Sequence, residues 1–268
     1  MAEKAILFDA TKCTGCRGCQ VACKGWNDLE AEETTNTGTY ENPPDLSTIT
    51  WLKMRFEEIV DTDAPGGLSW IFTRQACMHC SDAGCVEVCP TDALHYHEMG
   101  FVAYDRDKCS GCGYCINACP FEVPRAEKGG ITGVRKIDKC LFCADRVTND
   151  ILGGPACVKT CPTGALTYGD RSSLVSAGQA RVAELKDKDA ARYADANLYD
   201  GGDLNTHVMY VLPYAPAEHG LDADPKIPAT ASWIENVLPT VGYVAVGAVV
   251  VGLGVNYIVA RARMNKGK

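Results

Sequence analysis

The chain has 268 residues, of which 46% are apolar and 22% charged, with a net charge of −8. A full apolar complement excludes a disordered chain, and the acidic balance argues against nucleic-acid binding as the main activity. Sixteen cysteines in a chain of this length also fit poorly with a disulfide scaffold, because disulfide-dense domains are short.

In chain order, residues 1–12 (MAEKAILFDATK) predict a short strand and no signal peptide, since the apolar stretch is too short and no twin arginine or small-residue cleavage site appears. The first cysteine group, Cys13, Cys16, Cys19 and Cys23, is a C-x2-C-x2-C-x3-C run. Residues 26–47 are polar and turn-rich and predict a surface loop. ITWLKMRFEEI (49–59) and LSWIFTRQ (68–75) predict a hairpin through an Asp63–Gly67 turn. The second group, Cys77, Cys80, Cys85 and Cys89, widens the middle gap to four residues. GFVAYD (100–105) predicts a strand ahead of the third group, Cys109, Cys112, Cys115 and Cys119, which is spaced like the first. The fourth group, Cys140, Cys143, Cys157 and Cys161, separates its middle members by thirteen residues. Pro90, Pro120 and Pro162 follow the last cysteine of groups two to four, and Lys24 takes that place in group one. Residues 171–194 carry apolar positions at helical spacing, with Ser172 or Ser173 as N-cap and a Glu184–Lys188 pair. THVMYVLPY (206–214) alternates like a strand, and HGLDADPKIPAT predicts an extended linker.

Four groups of four leave no cysteine over, and their spacing is that of ferredoxin-type [4Fe–4S] loops. Three thiolates on a tight loop can cap three irons of a cubane. Gly15, Gly18, Gly111 and Gly113 let the backbone wrap close and aim N–H groups at sulfur. The fourth cysteine comes one helical turn later, and proline turns the chain away. A zinc ribbon would supply C-x2-C pairs but rarely the third cysteine and the C-x3-C-P tail. In two-cluster ferredoxins the fourth cysteine of a run binds the other cluster. Group one (CTGCRGCQVAC) resembles group three (CSGCGYCINACP), and CVEVCPTDAL in group two resembles CVKTCPTGAL in group four. Groups two and three therefore exchange ligands with each other, and groups one and four pair outside them. The expected sets are Cys13, Cys16, Cys19 and Cys161; Cys77, Cys80, Cys85 and Cys119; Cys109, Cys112, Cys115 and Cys89; and Cys140, Cys143, Cys157 and Cys23.

The expected fold is α+β: two interleaved bacterial-ferredoxin-like modules, each with two [4Fe–4S] clusters, plus one C-terminal transmembrane helix. Residues 1–75 and 120–170 would form the outer module and 76–119 the inner one. Residues 171–232 would form an extension, 233–260 the membrane helix and 261–268 a basic cytoplasmic tail. The 24 residues from Val237 to Ala260 carry no charge, and at about 1.5 Å per residue they reach about 36 Å, enough to cross a bilayer core. Trp233 and Tyr257 lie near its ends, Ala248 and Gly252 give a small-residue face for another helix, and Asn256 is its one strongly polar side chain. Arg261, Arg263, Lys266 and Lys268 follow, whereas the preceding linker is acidic, so the positive-inside rule places the C-terminus in the cytoplasm and the cluster domain across the membrane.

Lys12, Lys108 and Lys139 each precede the first cysteine of a group, where a cation would favour the reduced cluster; solvated lysines are an equal alternative. His79 is expected beside a cluster or at the surface rather than as a ligand, and no role is assigned to His95, His97, His207 or His219. No nucleophile elbow, P-loop, dinucleotide fingerprint or zinc-protease motif is present, so no catalytic residues are expected.

Together, CTGCRGCQVACKGWNDL, CMHCSDAGCVEVCPTDAL, CSGCGYCINACPFEVPR, CLFCADRV…CVKTCPTGAL and HVMYVLPY…HGLDADPKIP resemble the four-cluster iron–sulfur subunits of the molybdopterin oxidoreductase superfamily, and within it the beta subunit of membrane-bound formate dehydrogenases. The longer gap in group four is a departure that touches a loop and not the ligands. The resemblance implies a catalytic partner with a molybdenum or tungsten bis-pterin, a membrane cytochrome b that passes electrons to quinone, and attachment to the inner membrane. It further implies that the Cys13 set faces the catalytic subunit, that the Cys140 set faces the haem, and that the C-terminal helix packs on the cytochrome in the lipid bilayer. The same subunit in another molybdopterin reductase or a nickel–iron hydrogenase, a freestanding polyferredoxin and a zinc module remain alternatives.

Overall fold

The structure, a computed structural model, describes residues 2–61, 64, 66–126, 129, 135–229, 231 and 238–266. The chain enters along β1 (Lys4–Asp9) and turns through the first cysteine group into α1 (Gly18–Trp26). A long hairpin follows, β2 (Leu52–Val60) against β3 (Leu68–Ala76), in register from Leu52 opposite Ala76 to Val60 opposite Leu68. Its turn, expected over Asp63–Gly67, lies partly outside the described residues; the Asp61 amide donates to the Gly67 carbonyl at 3.0 Å across its base. The second and third cysteine groups carry the short helices α2 (Gly84–Glu87) and α3 (Tyr114–Asn117). Between them β4 (Leu94–Tyr96) pairs with β5 (Val102–Tyr104), the strand expected over 100–105. A two-residue ladder joins β6 (Arg125–Ala126) to β7 (Ile137–Asp138). The fourth group spans α4 (Ala144–Thr148) and α5 (Ala156–Thr160), so its thirteen-residue gap is filled by a helix and a 3-10 turn.

β8 (Leu166–Asp170) then leads into α6 (Arg171–Lys188), β9 (Asn197–Tyr199) and β10 (Val208–Leu212), and α7 (Leu238–Lys266) ends the described chain. One sheet, in the order β8-β1-β10-β9, gathers these strands. β1 runs antiparallel to β8 and parallel to β10, so the strand before the first cysteine group is hydrogen-bonded to strands that follow the last. α6 covers one face, laying Leu174, Val175, Val182 and Leu185 on Leu7, Met209 and Val211. The other face, with Ile6, Phe8, Tyr210 and Leu212, joins the core that holds Cys23, Cys77, Cys140 and Cys157. Covering both faces changes the expected pattern of 206–214: all five residues of β10 are buried, and no side of the strand meets water.

Two local expectations are corrected in α6. Its N-cap is Asp170 rather than Ser172 or Ser173, because the chain passes straight from the edge strand into the helix; Asp170 pairs with Lys4 at 2.7 Å instead of capping. Glu184 pairs with Arg181 at 2.8 Å, one turn before it, rather than with Lys188.

α7 occupies most of the stretch expected to span a membrane, although Trp233 and Val237 lie outside the described residues. Among the described residues no helix is long and apolar enough to cross a membrane.

Candidate functional site

The four cysteine groups fold by one local rule. In each, the residue just before the second cysteine takes a left-handed backbone: Gly15 (φ 66°), His79 (φ 51°), Gly111 (φ 73°) and Phe142 (φ 59°). That conformation bends the C-x2-C segment back on itself. The amides of Gly15, His79 and Gly111 thereby donate to the thiols of Cys13, Cys77 and Cys109. In each group the third cysteine is the second residue of a helix, as Cys19 in α1, Cys85 in α2, Cys115 in α3 and Cys157 in α5. The fourth cysteine follows one turn later. Where proline comes next, the helix stops. In group one Lys24 continues α1 to Trp26, and its ammonium donates to the Glu30 and Ile49 carbonyls at 2.8 and 2.7 Å.

Glycine is needed at position 15 for space as well as for φ, since a Cβ there would lie 2.9 Å from the Phe72 ring. In groups two and four bulky residues take the left-handed position, and packing holds them. His79 and Phe142 meet edge-to-face at 5.0 Å, and Phe101 stacks on Phe142 at 4.5 Å. His79 is therefore fully buried, correcting the surface alternative, and its Nδ1 lies 3.1 Å from the Val102 carbonyl. Burial, reinforced by the charges of Lys139 and Arg74, holds its imidazole well below the usual histidine range.

These loops bring cysteines together across groups. One cavity is lined by Cys109, Cys112, Cys115 and Cys89, among Leu94, Ala93 and Ile137. A second is lined by Cys140, Cys143, Cys157 and Cys23, with Ile6, Leu52, Phe142, Asn27 and Arg74. The thiols of Cys77, Cys80, Cys85 and Cys119 lie near enough to act on one another, and Cys13 feels Cys16 and Cys161. Cys77 also feels Cys140, and Cys19 feels Cys157. None of the sixteen cysteines forms a disulfide. Among the described residues no group of three or more His, Cys, Asp or Glu side chains converges on a position for a single metal ion.

Burial pushes the thiols of Cys19, Cys115 and Cys143 up to about 12 and that of Cys119 to about 11. Holding them as thiolates at neutral pH requires a cationic centre shared by each set, and an iron–sulfide core supplies one. Where Cys109 and Cys161 are nearer the surface, backbone N–H groups outweigh desolvation and hold the thiols below the usual range. The exposed thiols are Cys16 and Cys112. Cys23, Cys140, Cys143 and Cys157, the set expected to face the haem, are all buried within this chain, where α1, α5 and the β1 sheet close over them.

The three lysines separate clearly. Lys12 and Lys108 are exposed and pair with Asp9 at 3.7 Å and Asp105 at 3.5 Å. Lys139 is 1% exposed and donates to the Val102 and Cys140 carbonyls at 2.9 and 3.0 Å. Two residues at the site had not been expected there. Asn27 donates to the Cys23 carbonyl at 2.8 Å, and Arg74 lines the Cys140 cavity. The available signal for Arg74 was that it is the one charge in the apolar strand LSWIFTRQA.

Fold and thiol arrangement together define an electron-carrying iron–sulfur protein of the ferredoxin type, mixed α/β, with four [4Fe–4S] clusters as cofactors. Residues 68–171 match the 4Fe-4S dicluster domain. The chain is 42% identical over 267 residues to the formate dehydrogenase-O iron-sulfur subunit of Escherichia coli (strain K12), covering 95% of this chain and 85% of that one. It is 41% identical over 262 residues to the nitrate-inducible formate dehydrogenase iron-sulfur subunit of the same organism, covering 96% and 85%. Against the formate dehydrogenase subunit beta of Megalodesulfovibrio gigas it is 36% identical over 220 residues, covering 80% and 95%. The chain belongs to the family of formate dehydrogenase iron–sulfur subunits, and its part in an oxidoreductase is electron transfer.

Proposed function

We propose that the chain relays electrons released by formate oxidation in a molybdenum or tungsten bis-pterin subunit to a membrane cytochrome b, and from there to quinone. Its clusters supply one-electron chemistry; the residues of this chain hold, insulate and order them. The proposed ligand sets are Cys13, Cys16, Cys19 and Cys161; Cys140, Cys143, Cys157 and Cys23; Cys77, Cys80, Cys85 and Cys119; and Cys109, Cys112, Cys115 and Cys89. The observation that carries this reading is the cavity in which Cys23 of group one meets three cysteines of group four. Neighbouring thiols support the order just stated: Cys19 feels Cys157, which joins the first two sets, and Cys77 feels Cys140, which joins the next two. Exposed Cys16 and Cys112 mark the two ends, where electrons enter and leave.

The outer module would then be 1–75 with 120–170 and the inner one 76–119, with 171–232 bracing the outer module through β9 and β10. We further propose that 233–260 crosses the inner membrane and that 261–268 is its cytoplasmic foot. The uncharged run of 24 residues and the outward-facing valines of α7, among them Val244 and Val251, support this.

The test is the purified complex. Iron and acid-labile sulfide near sixteen of each, four per cubane, with a pterin chain and a haem chain co-purifying and formate-dependent dye reduction, is the expected result. A partner inactive on formate would move the chain to another complex. Cys23→Ser should alter the spectrum of the Cys140 set; loss confined to the Cys13 set would refute the ligand exchange.

A further inference from the structure

Arg74 is 1% exposed, and among the described residues none of its three guanidinium nitrogens makes a hydrogen bond of good geometry, although the side chain lies close enough to Tyr210 to act on its hydroxyl. Its backbone is fully engaged: it sits in β3 opposite Met54, and its carbonyl accepts from the Tyr210 hydroxyl at 2.8 Å. The side chain is thus delivered into the interior by a rigid hairpin, and it lines the cavity bounded by Cys23, Cys140, Cys143 and Cys157. A guanidinium keeps its charge in proteins, and burying it unpaired costs several kcal/mol. No carboxylate lines that cavity. The groups that favour its charge against burial are Tyr210 and the thiolates of Cys157, Cys140 and Cys19. The same charge acts back on Cys19, Cys23, Cys77 and Cys157. Arg74 therefore stands where three of the four thiol sets approach one another.

Resting on the ligand sets proposed above, we propose that Arg74 is the electrostatic positioning residue of the relay: its fixed charge and unspent N–H groups raise the reduction potential of the cluster held by Cys23, Cys140, Cys143 and Cys157. The sign follows from charge. Reduction adds one electron and no proton, so a thiolate-ligated cubane becomes one unit more negative. A buried cation with donors to sulfur stabilises that state more than the oxidised one. The cluster in the interior of the chain then becomes a sink that draws electrons inward from the exposed Cys16 end, and it does so in a region water cannot screen. Exposed Lys12 and Lys108 have no such leverage.

The test uses the intact complex carrying Arg74→Met, a neutral side chain of similar reach, and Arg74→Lys. Potentiometric titration followed by electron paramagnetic resonance reads each cluster separately, after iron and sulfide have been shown equal to the parent. At a fixed poise, Arg74→Met should lower the reduced-to-oxidised ratio of the Cys140-set cluster at least tenfold, 59 mV for one electron, while the Cys109-set cluster stays in place. Arg74→Lys should recover part of the shift. Full cluster content with unchanged potentials would overturn the proposal, as would an equal shift in all four clusters. If Arg74→Met fails to assemble, parent complex containing 15N-arginine decides: a 15N coupling to the reduced Cys140-set cluster, lost in Arg74→Lys, supports the assignment, and its absence overturns it. Failure of the ligand reading itself would appear separately, as a parent complex without the expected iron.

Discussion

Lys12, Lys108 and Lys139 occupy the same place in three cysteine groups, yet replacing each by methionine should give unequal results. The Lys139 ammonium is buried and donates to two carbonyls, Val102 at 2.9 Å and Cys140 at 3.0 Å. Hydrogen bonds from a charged donor contribute about 1.5–3 kcal/mol each, and methionine returns part of that by burying apolar surface. A net loss of about 2–4 kcal/mol follows, which at most multiplies the rate of heat-induced cluster bleaching by about 30 to 1,000. Lys12 and Lys108 hold exposed ion pairs at 3.7 and 3.5 Å, and such pairs contribute about 0–1 kcal/mol. The assay is the decay of visible cluster absorbance in the purified complex at a fixed elevated temperature, for the parent and the three variants side by side. Potentiometry adds a second axis, because Lys139 acts electrostatically on Cys77, Cys80, Cys85 and Cys119, so their cluster should become harder to reduce in Lys139→Met. Bleaching of Lys139→Met at the parent rate, or of Lys12→Met as fast as Lys139→Met, would refute the reasoning.

Gly15→Ala should cost more than Gly113→Ala. Both positions have positive φ, 66° and 77°, worth about 1–2 kcal/mol against alanine, but only at Gly15 does the new methyl meet a ring, at 2.9 Å, adding about 1–3 kcal/mol; iron retained after mild heating reads the difference, and equal losses would count against it. His219 is buried, lies 2.7 Å from the Thr73 hydroxyl through Nδ1, and is pushed down to about 4 by desolvation. Its neutral form therefore contributes stability that is complete above about pH 6.5 and is lost as the pH falls toward 4, about 3 kcal/mol in all. His219→Gln should flatten the acid slope of stability in that window, measured by denaturant midpoint against pH, and an unchanged slope would exclude this residue as its source.

Much of the site was legible because ligand spacing is a local property. A ferredoxin-type run needs three thiolates for one cubane and a fourth a helical turn on for its neighbour, and the spacing of the sixteen cysteines prints that requirement in all but the middle gap of group four. The missing proline after Cys23 was legible as a departure, but its meaning was not. Only the fold shows that α1 uses the freedom to run on to Trp26, with Lys24 tying it to Glu30 and Ile49. What escaped the sequence depends on contacts across long separations. Periodicity gave the strand at 206–214 but could not say that α6 and the thiol core would cover both its faces. Position beside a cysteine could not separate Lys139 from Lys12 and Lys108, since burial is decided by Val102 on another strand. Arg74 belongs to the same class: it reads as an ordinary strand residue until the hairpin is placed against β10 and the fourth group. The burial of the Cys140 set follows from the closing sheet, a contact that cysteine spacing does not carry.

The sheet that joins β1 to β8 and β10 also bears on biosynthesis. Ile6 pairs with Tyr168 on one side and Val208 on the other, so the strand that leads into the first thiol loop has no partner until the ribosome has passed residue 168 and lacks its second until residue 208. Segments 94–104, by contrast, pair within a dozen residues. Contacts that close over short separations form early, and those that wait for distant chain form late. The strand pairing therefore predicts the order in which the thiol loops close during synthesis: the middle of the chain first, and the loop at its beginning last.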